Sequence, residues 1–316
     1  MADECVGEGG RYNPSMPERN GARNALVALL VVYAGARVLQ VFPTRAPTLL
    51  IVVLHVFPPA IFALIHGRRI YGVRGVVVFM ALCLGVGSFF ESLSLRTGFP
   101  FGHYFFTGVM GTKVLDLPVL LALAYVGVGY LAWVVASLMV GAPAGSRTGW
   151  LVTPWVAAVV LTAWDLAMDP VWAYIDHAWV WERGGGYFGV PFGNYFGWLL
   201  TTWVFYLAFA LGLRGREPGR ATREWSRLAV AMYGMVAAGN LLLAIPSAIP
   251  AGFPATITDA AGRRWLTTDM LGICVVFSVC MMGTFAVIAW ARAGALPRAA
   301  REASAERERS ERVVAG

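Results

Sequence analysis

Charge is scarce in this sequence. Only 14% of its 316 residues are Asp, Glu, Lys or Arg, against roughly 25% in a soluble domain. Hydrophobic residues make up 58%, and a soluble chain of this length would need a polar shell that this composition does not supply. Lysine is nearly absent. The only one is Lys113, in a connection between apolar runs, which excludes a retinal Schiff base inside a helix bundle. Four histidines (His55, His66, His103, His177) are too few and too scattered for a histidine-rich di-iron site. Four cysteines (Cys5, Cys83, Cys274, Cys280) form no CxxC pair, and three of them lie in apolar runs, so they read as small core side chains rather than a disulfide framework or zinc site. No phosphate loop, dinucleotide fingerprint or catalytic-triad motif is present.

What the sequence does have is apolar runs of membrane-crossing length. They cover residues 24–42, 48–65, 75–93, 117–140, 150–170, 195–213, 227–249 and 268–291. These runs are continuous rather than alternating, which excludes a β-barrel. The expected fold is all-α: a polytopic transmembrane helix bundle of about eight spans, seven being the alternative. The first 23 residues are polar and the first apolar run is long enough to span, so no cleavable signal peptide is read here. The expected organisation is a polar tail (1–23), a transmembrane catalytic domain (24–291) and a charged C-terminal tail (292–316). Pro58 and Pro59 fall inside the second run and should kink it.

The net charge of +7 invites a nucleic-acid reading, which its distribution excludes. Outside the runs, Lys and Arg alternate between connections: eighteen fall on one side and six on the other, with Arg37 inside the first run. By the positive-inside rule both termini are cytoplasmic. The basic segments then face anionic lipid of the cell membrane.

The acids are the informative residues. Glu91 closes the third run, in FFESLSLRTGFPFGHYFF, and Asp165 and Asp169 lie late in the fifth, in TAWDLAMDPVW. The two aspartates are four apart and share one helix face. All three fall toward the non-cytoplasmic third, where acids are costly and usually face a bundle interior or wet cavity. Asp116, Asp176 and Glu182 read instead as solvated loop residues. A six-residue echo, PFGHYF at 100–105 and PFGNYF at 191–196, puts His103 and Asn194 at matching positions. It is consistent with two halves of one site related about the membrane normal. Aromatics crowd these segments: Phe101, Tyr104, Trp164, Trp172, Trp179, Trp181, Phe192, Tyr195 and Trp198 among them. An interfacial belt explains part of that. Aromatic faces beside carboxyl groups also suit a carbocation, at about 0.5–2 kcal/mol per contact, and an apolar slot of this kind fits a long polyene or isoprenoid. Asp165 and Asp169 differ from the aspartate-rich motifs of membrane prenyltransferases, which hold Mg²⁺–diphosphate with denser acids and cationic partners. No metal site is expected.

The stretches from Glu91 through Phe106, Trp164 through Pro170 and Tyr187 through Trp198 resemble carotenoid biosynthesis membrane proteins of the CruF type. These are carotenoid 1′,2′-hydratases, including γ-carotene hydratase and the bisanhydrobacterioruberin hydratase of C50 pathways. The resemblance covers about residues 75–291. It implies cofactor-free addition of water to the terminal C1′=C2′ bond of an acyclic ψ end group, on lycopene, γ-carotene or an acyclic C50 carotenoid. The residues fit that chemistry. A carboxyl group kept neutral by an apolar surround can give its proton to an alkene, and two acids one turn apart resist ionising together. The expected roles are Asp165 as general acid, Glu91 or Asp169 activating water, and His103 and Asn194 positioning it. Tyr104, Phe101, Trp164, Trp172, Tyr195, Trp198 and Phe192 would line the substrate. Two alternatives stand beside this. A cyclase or elongase would start from the same protonation or the same pocket. A transporter or carotenoid-binding protein would need a continuous polar path, whereas only Arg37, His55 and Asn240 lie away from the acid-bearing end.

Overall fold

In a computed structural model, the structure describes residues 16–42, 45–114, 117–142, 146–214, 221–243 and 253–296. Its helices are α1 (Met16–Leu39), α2 (Thr48–Thr97), α3 (Val119–Val140), α4 (Arg147–Tyr174), α5 (Phe192–Gly212), α6 (Arg223–Leu243), α7 (Thr267–Phe277) and α8 (Thr284–Gly294). A π-helical turn at Ser278–Gly283 joins the last two. Among the described residues, seven helical segments are long and apolar enough to cross a membrane, with α7 through α8 counted as one.

The 50-residue α2 crosses twice. Gly72 breaks it with φ 69° and ψ 174°, a left-handed φ that glycine adopts without steric cost. In a continuous helix residues 67 and 76 would stand about 13 Å apart. Here a Cβ on Gly67 would lie 2.9 Å from Val76 Cγ2, so the chain doubles back, and counting α2 as two limbs gives eight crossings among the described residues. The expected runs at 48–65 and 75–93 are these two limbs, joined by helical turns around one residue instead of a loop. The segment containing residues 244–249, part of the expected seventh run, lies outside the described residues, as do Cys5 and Asp116.

Local chemistry sets the helix ends and contacts. Pro47, Pro118 and Pro191 stand immediately before α2, α3 and α5. Ser146 caps α4 by accepting from the Gly149 N–H at 3.0 Å. Gly98 and Gly141 close α2 and α3 in the left-handed conformation. Gly127 lets α3 approach the Pro58–Pro59 segment, since a Cβ there would come within 2.8 Å of Ala60 N. Buried tyrosines tie helices together: Tyr206 donates to Gly129 O at 2.7 Å and Tyr233 to Val160 O at 3.1 Å. α3 and α4 form the enclosed centre. Val31, Val77, Phe89, Phe196 and Val287 stand exposed on outer helix faces, as a lipid-facing surface requires.

Short strands close one end of the bundle. β1 (Tyr104–Phe106) pairs antiparallel with β4 (Trp179–Trp181), β2 (Lys113–Val114) with β3 (Leu117–Pro118), and β5 (Thr256–Thr258) with β6 (Arg264–Leu266). In the β5–β6 hairpin, Asp259 accepts from the Ala261 and Arg263 N–H groups at 2.9 Å and from Arg263 Nε at 2.8 Å. Arg263 in turn donates to Gly185 O at 2.6 Å, fastening the hairpin to the loop before α5.

Candidate active site

The acids converge beneath the β1–β4 ribbon. Glu91 comes from the last turns of α2, Asp165 and Asp169 from the C-terminal third of α4, and Asn194 from the first turn of α5. Each is no more than 2% exposed. Pro170 explains part of this architecture. It removes the N–H that would bond Leu166 O, and the Tyr187 hydroxyl fills the vacancy by donating to that carbonyl at 2.9 Å. The loop before α5 is thereby held against the acid-bearing turn.

A single amide joins the two aspartates. Asn194 Nδ2 donates to Asp165 Oδ2 at 2.9 Å and to Asp169 Oδ2 at 2.7 Å. Trp179 Nε1 donates to the other oxygen of Asp169 at 2.8 Å. Trp181 Nε1 also faces Asp169 but falls short of hydrogen-bond geometry. Glu91 is held by two phenols: Tyr125 donates to Oε1 at 2.5 Å and Tyr104 to Oε2. Burial, and then the neighbouring Glu91, pushes the Tyr104 phenol well above its usual range, so its hydroxyl remains a donor at any working pH. Asp165 accepts from Asn194 alone among these bonds, while Glu91 and Asp169 have both oxygens engaged.

These groups border a pocket of about 320 Å³. Its wall is aromatic: Phe101 lies against Trp198 with centroids 5.0 Å apart, and Trp198 meets Tyr125 edge-on at 4.7 Å. A larger, mainly apolar cavity of about 1230 Å³ adjoins it, and Leu121, Met168 and Trp179 line both. The arrangement places three carboxyl groups and several ring faces around a small space that adjoins a larger, mainly apolar one.

Of the residues read from sequence, the structure brings Glu91, Asp165, Asp169, Asn194, Tyr104, Phe101 and Trp198 to the small pocket. Trp164 and Trp172 line the larger cavity instead. Three stand apart from both. His103 packs on the turn at Gly98, where a Cβ would meet its ring at 2.6 Å. Tyr195 is buried against Tyr187 at 5.4 Å, and Phe192 is 61% exposed. The echoed motifs do meet: Gly102 lies against Pro191 and Gly193 against Pro100. Their backbones differ, however. The first is a turn leading into a strand, and the second starts a helix, so His103 and Asn194 are not equivalent. Asp176 is half-buried and lines the large cavity rather than standing in solvent, while Glu182 is exposed. Tyr125, Met168 and Leu121 are pocket residues that the sequence did not single out. Of these, Tyr125 carries a signal as one of two phenols, with Tyr130, in an uncharged run.

The family model for carotenoid biosynthesis proteins matches residues 47–260, more than half of the chain. The chain belongs to this family. It is a multi-pass membrane protein with a role in carotenoid metabolism. The match takes in both limbs of α2, all of α3 through α6, and every residue of the acid pocket. No functionally curated protein and no solved structure matches the chain.

Proposed function

We propose that this carotenoid biosynthesis protein is a cofactor-independent hydratase of the cell membrane, of the CruF type. It adds water across the terminal C1′=C2′ bond of an acyclic ψ end group. The observation that carries this reading is the pairing of Asp165 and Asp169 on one amide, opposite a tyrosine-held Glu91, in an aromatic pocket beside a long apolar cavity. Asp165, with the fewest hydrogen bonds of the three, gives its proton to C2′. The electron pair of the double bond forms the new C–H bond and leaves a tertiary cation at C1′. The faces of Trp198, Phe101 and Trp181 stabilise that cation by about 0.5–2 kcal/mol each. Water attacks C1′, and Glu91 or Asp169 accepts its surplus proton, which returns to Asp165 to close the cycle. The net change is one water added and a tertiary alcohol formed.

Asn194 keeps the two aspartates in register for this transfer. Tyr104 and Tyr125 keep Glu91 directed at the pocket. The remainder of the polyene, too long for 320 Å³, occupies the adjoining cavity. The test is expression in lycopene- or γ-carotene-producing bacteria followed by pigment mass spectrometry. Hydration appears as one added water, cyclisation as no change in mass, and elongation as an added prenyl unit. Unchanged pigments in both hosts, with the protein well expressed, would refute the reading.

A further inference from the structure

The wall of the large cavity holds a buried cation. Arg37, near the end of α1, is 8% exposed, and among the described residues no carboxylate pairs with it. Its Nη2 donates to Val236 O at 3.2 Å and to Asn240 Oδ1 at 2.5 Å. Its Nε is buried without a hydrogen-bond partner. The slot it occupies exists because residue 239 is glycine: a Cβ there would fall 1.5 Å from that Nε. Asn240 is itself fixed, donating to Ser278 Oγ at 2.8 Å. Ser278 opens the π-helical turn between α7 and α8, a feature frequent at functional sites. A guanidinium at membrane depth without a counter-charge is costly. An acceptor oxygen supplied by a ligand would offset part of that cost.

We propose that this cavity binds an isoprenoid chain that already carries an oxygen, with Arg37, set by Asn240, donating to that oxygen. The isoprenoid part rests on the hydratase reading, whose product bears such a hydroxyl. The walls supply the apolar contacts through Ile51, Val52, Val128, Met168, Trp164 and Trp172. Asp176 lines the same cavity, and its carboxyl disfavours an anionic headgroup and favours a neutral hydroxyl or carbonyl.

The test uses the full chain in phosphatidylcholine nanodiscs, titrated with lycopene and with 1-hydroxylycopene and read by quenching of tryptophan fluorescence. Arg37→Met should weaken the hydroxylated pigment about tenfold, the loss of one charge-assisted hydrogen bond, and lycopene less than twofold. Asn240→Asp should give the same selective loss by capturing the guanidinium in an ion pair, and it answers the question if Arg37→Met does not fold. Equal effects on both pigments, or none in either variant, would overturn the proposal. So would displacement of the hydroxylated pigment from the parent by phosphatidylglycerol, which would make the site a lipid-headgroup site. Because the readout is binding, selective loss can stand even if no pigment is hydrated in cells, and hydration can stand if the selectivity fails.

Discussion

Asn194→Leu isolates the feature on which the proposed chemistry depends. The side chain is nearly the same size and fits the start of α5, but it removes both N–H donors that join Asp165 and Asp169. With Asp165 protonated and Asp169 ionised, the two bonds contribute about 0.5–1.5 and about 1.5–3 kcal/mol, about 2–4.5 kcal/mol together if additive. Members of one network are not additive, and the lower end is the better guide. If that loss falls on the transition state, the rate drops by roughly 30-fold at about 1.4 kcal/mol per decade. The assay is conversion of lycopene by purified protein, with product read by mass, beside thermal unfolding to confirm that the bundle is intact. The same substitution in an Asp169→Asn background should cost much less, because one of the two bonds then joins neutral groups. An Asn194→Leu protein that converts lycopene within threefold of the parent would refute the assigned role of the amide. A loss equal in both backgrounds would show that Asn194 acts on something other than the aspartate pair.

Tyr125→Phe removes the 2.5 Å bond to Glu91 and little volume. We expect about tenfold lower turnover with an unfolding temperature close to the parent's, and unchanged turnover would remove Glu91's tether from the mechanism. Ala124→Trp places a large ring in the larger cavity from α3; pigment binding should be lost while the helical circular dichroism is retained. Asp176, just beyond the end of α4, is half-buried by surface yet surrounded by the cavity wall, and that burial pushes its carboxyl up to about 7. A folded value above the unfolded one, about 3.9, means that stability is lost as pH rises from about 4 to about 7 and is level outside that window. Asp176→Asn should therefore match the parent at pH 4 and melt higher at pH 8, by about 2 °C after allowing for partial exposure. Parallel melting curves across that range would contradict the assignment.

What the sequence could and could not disclose follows from the range of the forces involved. Apolar run length is a local property set by bilayer thickness, so the described helix ends fall within about eight residues of the apolar runs. The joint between the limbs of α2 leaves no mark in run length, since the chain needs only Gly72 out of helical geometry to reverse. The aspartate pair was legible because a spacing of four fixes a shared helix face. Contacts across the bundle leave no such mark. Tyr125 reaches Glu91 over 34 residues, and Arg37 reaches Asn240 over 203. His103 and Asn194 show the opposite failure: near-identical hexapeptides took different backbones because one is paired into a ribbon and the other continues into a helix. Arg37, His55 and Asn240 had seemed to lie away from the acids. Yet α1 and α6 end, and α2 begins, at the end of the bundle where α4 brings its aspartates, and all three residues line the cavity that shares Leu121, Met168 and Trp179 with the acid pocket. Alternating helix direction predicts that convergence once the crossings are counted as eight. Were α2 a single crossing, every helix from α3 onward would be inverted, and Arg37 and His55 would stand at the opposite end of the bundle from the aspartates of α4.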